Sequence, residues 1–179
     1  MCNPASSVVL VNTDPAMDNL PHASAEKTAR KNKFECWIVL HLVHELVAQG
    51  LDPTGIAVVT PYIQQSMALK EIFDPKHVDV FTLEKCVGTV KDCVIISCVK
   101  QNDRMDLVKE VSRIHIAFPR ARAKLVIVGS RYNLKHIASL RDYFVTMKKK
   151  NMGVNVNDIV AEKEYCSQHY TSKELKPLF

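Results

Sequence analysis

The chain has 179 residues, of which 47% are hydrophobic and 24% are charged, which is typical of one globular domain with a substantial core. Its formal net charge of +5 permits nucleic-acid binding without requiring it, because the basic residues are spread along the chain. No apolar stretch approaches the length of a membrane span and the N-terminus lacks the layout of a signal peptide, which argues against a membrane or secreted protein.

Strands and helices alternate along the predicted chain. Apolar runs predict buried strands at 8–11, 55–60, 78–81, 93–99 and 125–128, with 125–128 as the last strand. Helical spacing predicts helices at 35–48, 64–73 and 137–149, and a mixed segment at 104–118 is also predicted to be helical. A polar loop is expected at 15–30. Because the chain turns polar again beyond Asn151, we predict a domain at 1–150 and a polar tail at 151–179.

This alternation predicts an α/β fold, since strands that are apolar throughout belong to a mostly parallel sheet with helices on both faces. In such sheets the working groups gather at the carboxyl ends of the strands. Four segments should therefore meet at one edge, namely 60–62, the segment from 82 onward, 97–102 and 129–130. Arg120 and Arg122 precede their strand, so they reach that edge only if the preceding segment brings them there. Otherwise they serve another surface.

Arg120 and Arg122 stand one residue apart, immediately before the apolar run at 125–128. Two planar, permanently charged guanidiniums suit a phosphate, although an isolated R-x-R is more often a solvated basic turn. The sequence contains no G-x-x-x-x-G-K-[ST] phosphate loop, no acidic pair after an apolar strand that would hold magnesium, and five glycines in all. We therefore expect no ATP hydrolysis by this chain alone.

The six cysteines form no C-x-x-C pair and no metal-like grouping with the seven histidines, so we predict no metal site. This pattern favours a reducing, intracellular compartment. A cysteine–histidine nucleophile pair can be drawn on paper, but the spacing singles out no pair, and thiols on apolar strands are usually core residues. The residues concerned are Cys86, Cys98, His41, His44 and His115.

Four segments, taken in order, resemble the second RecA-like domain of superfamily 1 helicases. They read GIAVVTPYIQQ at 55–65, TLEKCVG at 82–88, DCVIIS at 92–97 and IAFPRAR at 116–122. The resemblance spans most of the chain, and within the superfamily it is greatest to the DNA replication ATP-dependent helicase/nuclease family. The VNTD stretch at 11–14 and Asn32 with Glu35 also fit that family. The resemblance implies a RecA-like P-loop NTPase fold.

The resemblance also implies roles for individual residues. Arg120 matches the arginine finger that reaches the γ-phosphate of ATP held by a first RecA-like domain, an effect worth about 10³–10⁵ in rate. Further positions match residues that support the nucleotide site, namely Arg113, Arg122, Gly88, Tyr62 and Gln65. Thr82, Thr60 and Pro61 match contacts with single-stranded DNA. ATP and Mg²⁺ are then shared with the first domain, and the family's location is the nucleus.

Five positions depart from the family pattern, and the segment at 102–113 is shorter than the family's. Ile63 replaces an arginine, Cys86 an aromatic residue, Val87 a glutamine, Val90 an acid and Pro119 a threonine. Three interpretations therefore stay open. The chain is the C-terminal part of a helicase that works with a partner domain, a non-catalytic relative that binds nucleic acid or protein, or a small α/β enzyme with another pocket at the same sheet edge.

Overall fold

A computed structural model describes residues 8–14, 31–99, 113–137, 140–150 and 152–156. The predicted loop at 15–30 and most of the predicted tail lie outside these residues, and so does 104–112 of the predicted helical segment. No helix in the described ranges combines the length and the apolar character needed to cross a membrane.

The described residues form one sheet in which all strand pairs are parallel. Its strand order is β3-β2-β4-β5-β1-β6. The strands are β1 Val8–Asn12, β2 Ile56–Thr60, β3 Asp79–Thr82, β4 Lys91–Ser97, β5 Ala121–Gly129 and β6 Gly153–Asn155. This architecture confirms the predicted α/β, RecA-like fold.

Four α-helices connect or flank these strands within the described ranges. They are α1 Lys33–Ala48, α2 Ile63–Lys70, α3 Arg131–Leu134 and α4 Arg141–Lys149. Short 3₁₀ turns lie at Pro53–Gly55, Ile114–Ile116 and Phe118–Arg120. Helix α1 begins after Asn32, whose side chain accepts a hydrogen bond from the backbone N–H of Glu35, 3.1 Å away. It ends before Gly50, which adopts a φ of 92° that glycine tolerates.

Both faces of the sheet are buried. Alternate strand residues point to opposite faces, so Val58 and Ile95 belong to one apolar cluster and Val59 and Ile96 to the other. Helices α1 and α2 cover the first face, whereas the 114–120 turns, α3 and α4 cover the second. The strands read as continuous apolar runs because neither face meets water.

Two strand predictions need correction. The run at 125–128 is not the last strand, because β6 follows it and pairs with β1. Three residues that include a glycine and an asparagine carry too weak a pattern to be recognised as a strand. Strand β5 also begins earlier, at Ala121, so Arg122 lies inside the strand rather than before it. The proposed boundary at residue 150 stays a prediction.

Other boundaries also shift. Strand β4 ends at Ser97 rather than at residue 99, because Val99 turns into the left-handed region with a φ of 53°. Helix α2 ends three residues earlier than predicted, and α4 begins at Arg141. The described end of the segment predicted as helical, 113–118, forms 3₁₀ turns instead. Pro119 accounts for part of this, since proline does not fit the interior of an α-helix.

Candidate nucleotide and nucleic-acid site

Arg113 pairs with the turn at 84–88 that follows β3, and the segment that carries Arg120 shares a buried cluster with the same turn. The Nη1 of Arg113 is 3.3 Å from Oε1 of Glu84. Burial raises the pKa of the Cys86 thiol, and the positive charge of Arg120 opposes that rise. Cys86 lies in the second apolar cluster together with Ala117 and Phe118, which precede Arg120. The 82–88 and 116–122 segments, remote in sequence, are therefore brought together on the second face of the sheet. We call Arg113, Arg120 and the 84–88 turn the arginine surface.

Pro119 determines how Arg120 is presented. It occupies an early position of the Phe118–Arg120 turn, where its missing N–H is no loss. Arg120 is the last residue of this turn, and its backbone N–H donates to the carbonyl of Ala117, 3.1 Å away. The Nε of Arg120 is buried and has no hydrogen-bond partner among the described residues. The turn thus fixes the backbone of Arg120, and its Nε donor lies inside the protein rather than on its surface.

Arg122 lies elsewhere. It is the second residue of β5, at the amino edge of the sheet, and its Nη1 is 3.6 Å from Oδ1 of Asp92. Together they line a shallow pocket of about 250 Å³ with Asp52, Thr54, Gly55, Val90 and Lys91. Lys91 is itself engaged, since its Nζ lies 2.7 Å from Asp79 and donates to the carbonyl of Thr54 at 2.6 Å. Arg122 therefore lies outside the arginine surface that contains Arg120.

Gln65 is fully buried in a hydrogen-bonded network at the carboxyl edge. Its Oε1 accepts from the backbone N–H of Asn32 at 2.7 Å, and its Nε2 donates to the Oγ of Ser97 at 3.0 Å. The Ser97 hydroxyl in turn donates to Oε2 of Glu35 at 2.9 Å. This network joins the start of α1 to α2 and β4. A contact between Gln65 and a nucleotide would break it.

The other residues predicted at the carboxyl edge are also buried. Thr60, Pro61, Tyr62 and Thr82 all have little exposed surface. The hydroxyl of Thr60 accepts from the backbone N–H of Tyr62 at 3.4 Å, and the carbonyl of Thr82 accepts from the N–H groups at 85 and 86. The register pairs Thr60 with Thr82, so the two threonines do meet at one edge. Their roles toward DNA stay predictions.

A second polar cluster, which the sequence reasoning did not assign, lies where β5, β1 and β6 end. Asn12 faces Gly129 and Asn155 in the register, and its Nδ2 donates to Oδ1 of Asn155 at 3.2 Å. Asp14 accepts hydrogen bonds from the Ser130 hydroxyl and from the backbone N–H of Tyr132. The sequence could have indicated this cluster, because two polar residues, at 12 and 14, follow an apolar run. The cluster fixes the start of α3.

Three of the positions that depart from the family pattern carry exposed aliphatic side chains, whereas Cys86 is buried. Ile63 is 66% exposed, Val87 64% and Val90 41%. Val87 belongs to the arginine surface and precedes Gly88, whose φ of 86° explains the glycine. A Cβ added at Gly88 would meet nothing within 4 Å, so backbone conformation rather than crowding requires it. At Ile63, Val87 and Val90, exposed apolar side chains therefore replace the polar side chains of the family pattern.

The resemblance implies that ATP and Mg²⁺ bind here, and only some of the predicted site residues are placed to hold them. The guanidinium of Arg113 is about half exposed and positively charged, which suits a phosphate, whereas the Nε of Arg120 is buried. Gln65 and Tyr62 are buried, and Arg122 lies at the amino edge, so these three do not join them. Among the described residues there is no group of three or more acidic, histidine or cysteine side chains placed to hold a metal ion.

Comparison with known proteins identifies the kind of domain. Residues 1–132 match the AAA domain family. The chain is 31% identical over 142 residues to a DNA replication ATP-dependent helicase/nuclease of Arabidopsis thaliana, a match that covers 76% of this chain and 10% of the relative. A protein of the same description from Saccharomyces cerevisiae is 29% identical over 154 residues, covering 83% and 10%. The DNA polymerase alpha-associated DNA helicase A of Schizosaccharomyces pombe is 27% identical over 127 residues, covering 69% and 19%.

These matches confirm the resemblance that the sequence motifs indicated, and they identify a helicase-like domain. The chain spans about a tenth of the length of the two helicase/nucleases it matches. The likeness therefore concerns one domain of a larger architecture.

Proposed function

This chain belongs to the AAA domain family, and we propose that it acts as the second RecA-like domain of a superfamily 1 DNA helicase. In this role it completes an ATP site whose phosphate loop and magnesium-binding acids lie on a first RecA-like domain, in the same chain or another. The observation that carries the proposal is the convergence of Arg113 and the segment that carries Arg120 on the 84–88 turn. The names of the relatives support a role in DNA replication. We extend the proposal to DNA repair and to a nuclear location from the family resemblance.

Arg120 is proposed to stabilise the charge that develops on the transferring phosphoryl group. Its guanidinium is permanently charged and donates in a planar fork, which suits three equatorial phosphoryl oxygens. Its backbone is held by the 3₁₀ turn and by the start of β5. Arg113 supports it from the same surface. Bound ATP supplies the phosphoryl group, and this chain supplies fixed positive charge.

Contact with single-stranded DNA is proposed at the carboxyl edge, where β2 and β3 end. Thr60 and Thr82 are paired there, and Pro61 follows Thr60. Because their side chains are buried, they support the surface of the edge and leave contact with the DNA backbone to neighbouring groups. Phosphate contact makes the affinity for single strands fall steeply as salt rises.

The proposal is tested in a two-domain protein in which a first RecA-like domain of the superfamily is joined to this chain. ATP hydrolysis should require both domains and should rise when single-stranded DNA is added. Arg113→Ala should lower the rate, whereas Arg141→Ala, an exposed arginine on α4, should not. Hydrolysis that is the same with and without this chain would contradict the proposal.

A second candidate function is a non-catalytic module that binds nucleic acid or protein. The exposure of Ile63, Val87 and Val90 favours it, because valine can neither donate hydrogen bonds to a nucleotide nor carry charge. The double change Val87→Gln with Val90→Glu separates the two functions in the two-domain protein. Faster hydrolysis indicates a weakened ATP site, and an unchanged rate favours the binding module.

A further inference from the structure

We propose that Tyr132, Lys135 and His136 form a stacking platform for a base of single-stranded DNA. The inference rests on the proposed function, because it names a DNA-contacting subsite that the family motifs do not assign. The platform is additional to the motif residues. Its side chains are exposed at the carboxyl edge of the sheet, where the motif side chains are buried.

The packing of α3 creates the platform. Leu134 and Ile137 are buried in the second core cluster, so they anchor the inner side of this turn. Gly129 permits the close approach, since a Cβ there would lie 3.2 Å from Cδ1 of Leu134 and 2.9 Å from Cβ of Cys98. Tyr132, Lys135 and His136 are spaced i, i+3 and i+4, which places them together on one helical face. All three are exposed.

Lys135 and His136 both contact the ring of Tyr132. Lys135 Nζ lies 4.3 Å from the centroid of the Tyr132 ring, and the His136 ring meets the same ring edge-on at 5.6 Å and 76°. Tyr132 is nevertheless 50% exposed, so part of the aromatic surface faces solvent. An exposed aromatic ring beside a lysine suits single strands, because a base can stack on the ring while a phosphate meets the positive charge.

The backbone N–H groups at the start of α3 already have hydrogen-bond partners. The side chains are therefore left to recognise DNA. The carboxylate of Asp14 accepts the N–H of Tyr132 at 2.9 Å, and Oδ1 of Asn12 accepts the N–H of Arg131 at 3.0 Å. The Ser130 hydroxyl accepts the N–H of Asn133 at 3.2 Å. These bonds consume the amides that would otherwise attract an anion, and they hold the turn rigid. A rigid aromatic side chain loses little conformational entropy on binding.

The platform also has a suitable position. It follows β5 at the carboxyl edge of a parallel sheet, the edge where β2 and β3 end with Thr60 and Thr82. A strand of DNA crossing this edge meets both the proposed motif region and the platform.

The test measures binding of the full chain to fluorescein-labelled oligothymidine and to an abasic deoxyribose-phosphate oligomer of the same length. The abasic oligomer keeps the phosphates but has no base to stack. Tyr132→Ala should weaken oligothymidine binding by about 5- to 150-fold, the effect of one stacked base, and should leave abasic binding unchanged. Tyr132→Phe should bind like wild type. Lys135→Gln should weaken both ligands and reduce the salt slope by about 0.7.

Tyr143→Ala is the matched control, because Tyr143 is 47% exposed and also meets another ring edge-on, that of Phe118 at 4.9 Å. It should bind both oligomers like wild type. No binding of oligothymidine by the wild-type chain, or an equal loss of both ligands in Tyr132→Ala, overturns the platform. The two proposals can fail independently. The proposed function is tested by ATP hydrolysis in the two-domain protein, whereas the platform is tested by base-dependent binding of DNA.

Discussion

The carboxylate of Glu35 accepts a hydrogen bond from the backbone N–H of Val99, 2.9 Å away, just beyond the end of β4. Val99 has a φ of 53°, a conformation that β-branched residues rarely adopt. Glu35 is fully buried and also accepts the Ser97 hydroxyl. A strained backbone persists where its surroundings over-determine it. The first turn of α1 therefore holds the end of the central strand in place.

Replacing Glu35 should destabilise the fold. Glu35→Ala leaves the Val99 N–H and the Ser97 hydroxyl without their acceptor, which should lower the free energy of unfolding by about 3 kcal/mol. Glu35→Gln, which keeps one acceptor oxygen, should cost less. Urea unfolding measures both. Glu45→Ala on the same helix is the control and should change stability by less than about 0.5 kcal/mol. Equal effects of the two alanine variants would contradict the account of the network.

Gly129→Ala should be destabilising for a steric reason. Its new Cβ would lie 2.9 Å from Cβ of Cys98, closer than two carbons can approach. We expect the midpoint of urea unfolding to fall by an amount equivalent to about 1–3 kcal/mol. Gly153→Ala, whose Cβ would meet nothing closer than the carbonyl of Leu10 at 4.0 Å, serves as the comparison. If alanine changes the stability equally at both glycines, the claim of a tight contact at Gly129 is wrong.

The buried Cys36 thiol should make stability depend on pH in the alkaline range. Burial raises its pKa from 9.0 to about 12, and the nearby charge of Glu35 adds to the rise. Between these values the unfolded chain releases the proton while the folded chain keeps it, so stability falls as pH rises. From about pH 8 to about pH 10, the free energy of unfolding should fall by about 1.4 kcal/mol more in wild type than in Cys36→Ala. The same fall in both proteins would refute this assignment.

Much of the fold could be predicted because the strands are continuous apolar runs. The order of strands and helices and the parallel sheet follow from that pattern. The end of β4 could not be predicted, because Cys98 and Val99 are as apolar as the strand and the turn depends on the distant Glu35. Strand β6 escaped recognition because it is short and is stabilised by pairing with β1.

The candidate site was harder to predict than the fold. The motifs indicated which segments matter, and the structure brings Arg113, Arg120 and the 84–88 turn together. The role of Gln65 toward a nucleotide stays a prediction, and the sequence did not show that its amide bonds to Asn32 and Ser97. Arg122 looked like a partner of Arg120, but β5 begins between them. Residue type and order were visible in the sequence, whereas burial and local backbone path were not.

The most direct test of the account is the rate of ATP hydrolysis by the two-domain protein when Arg120 is changed. Arg120→Ala should lower the rate in the presence of single-stranded DNA by about 10³–10⁵, and Arg120→Lys should recover part of it, because a point charge replaces the fork. Circular dichroism should show that both variants are folded, and Arg141→Ala should hydrolyse ATP like wild type. A folded Arg120→Ala protein with the wild-type rate would contradict the assignment of this chain as the domain that supplies the arginine finger.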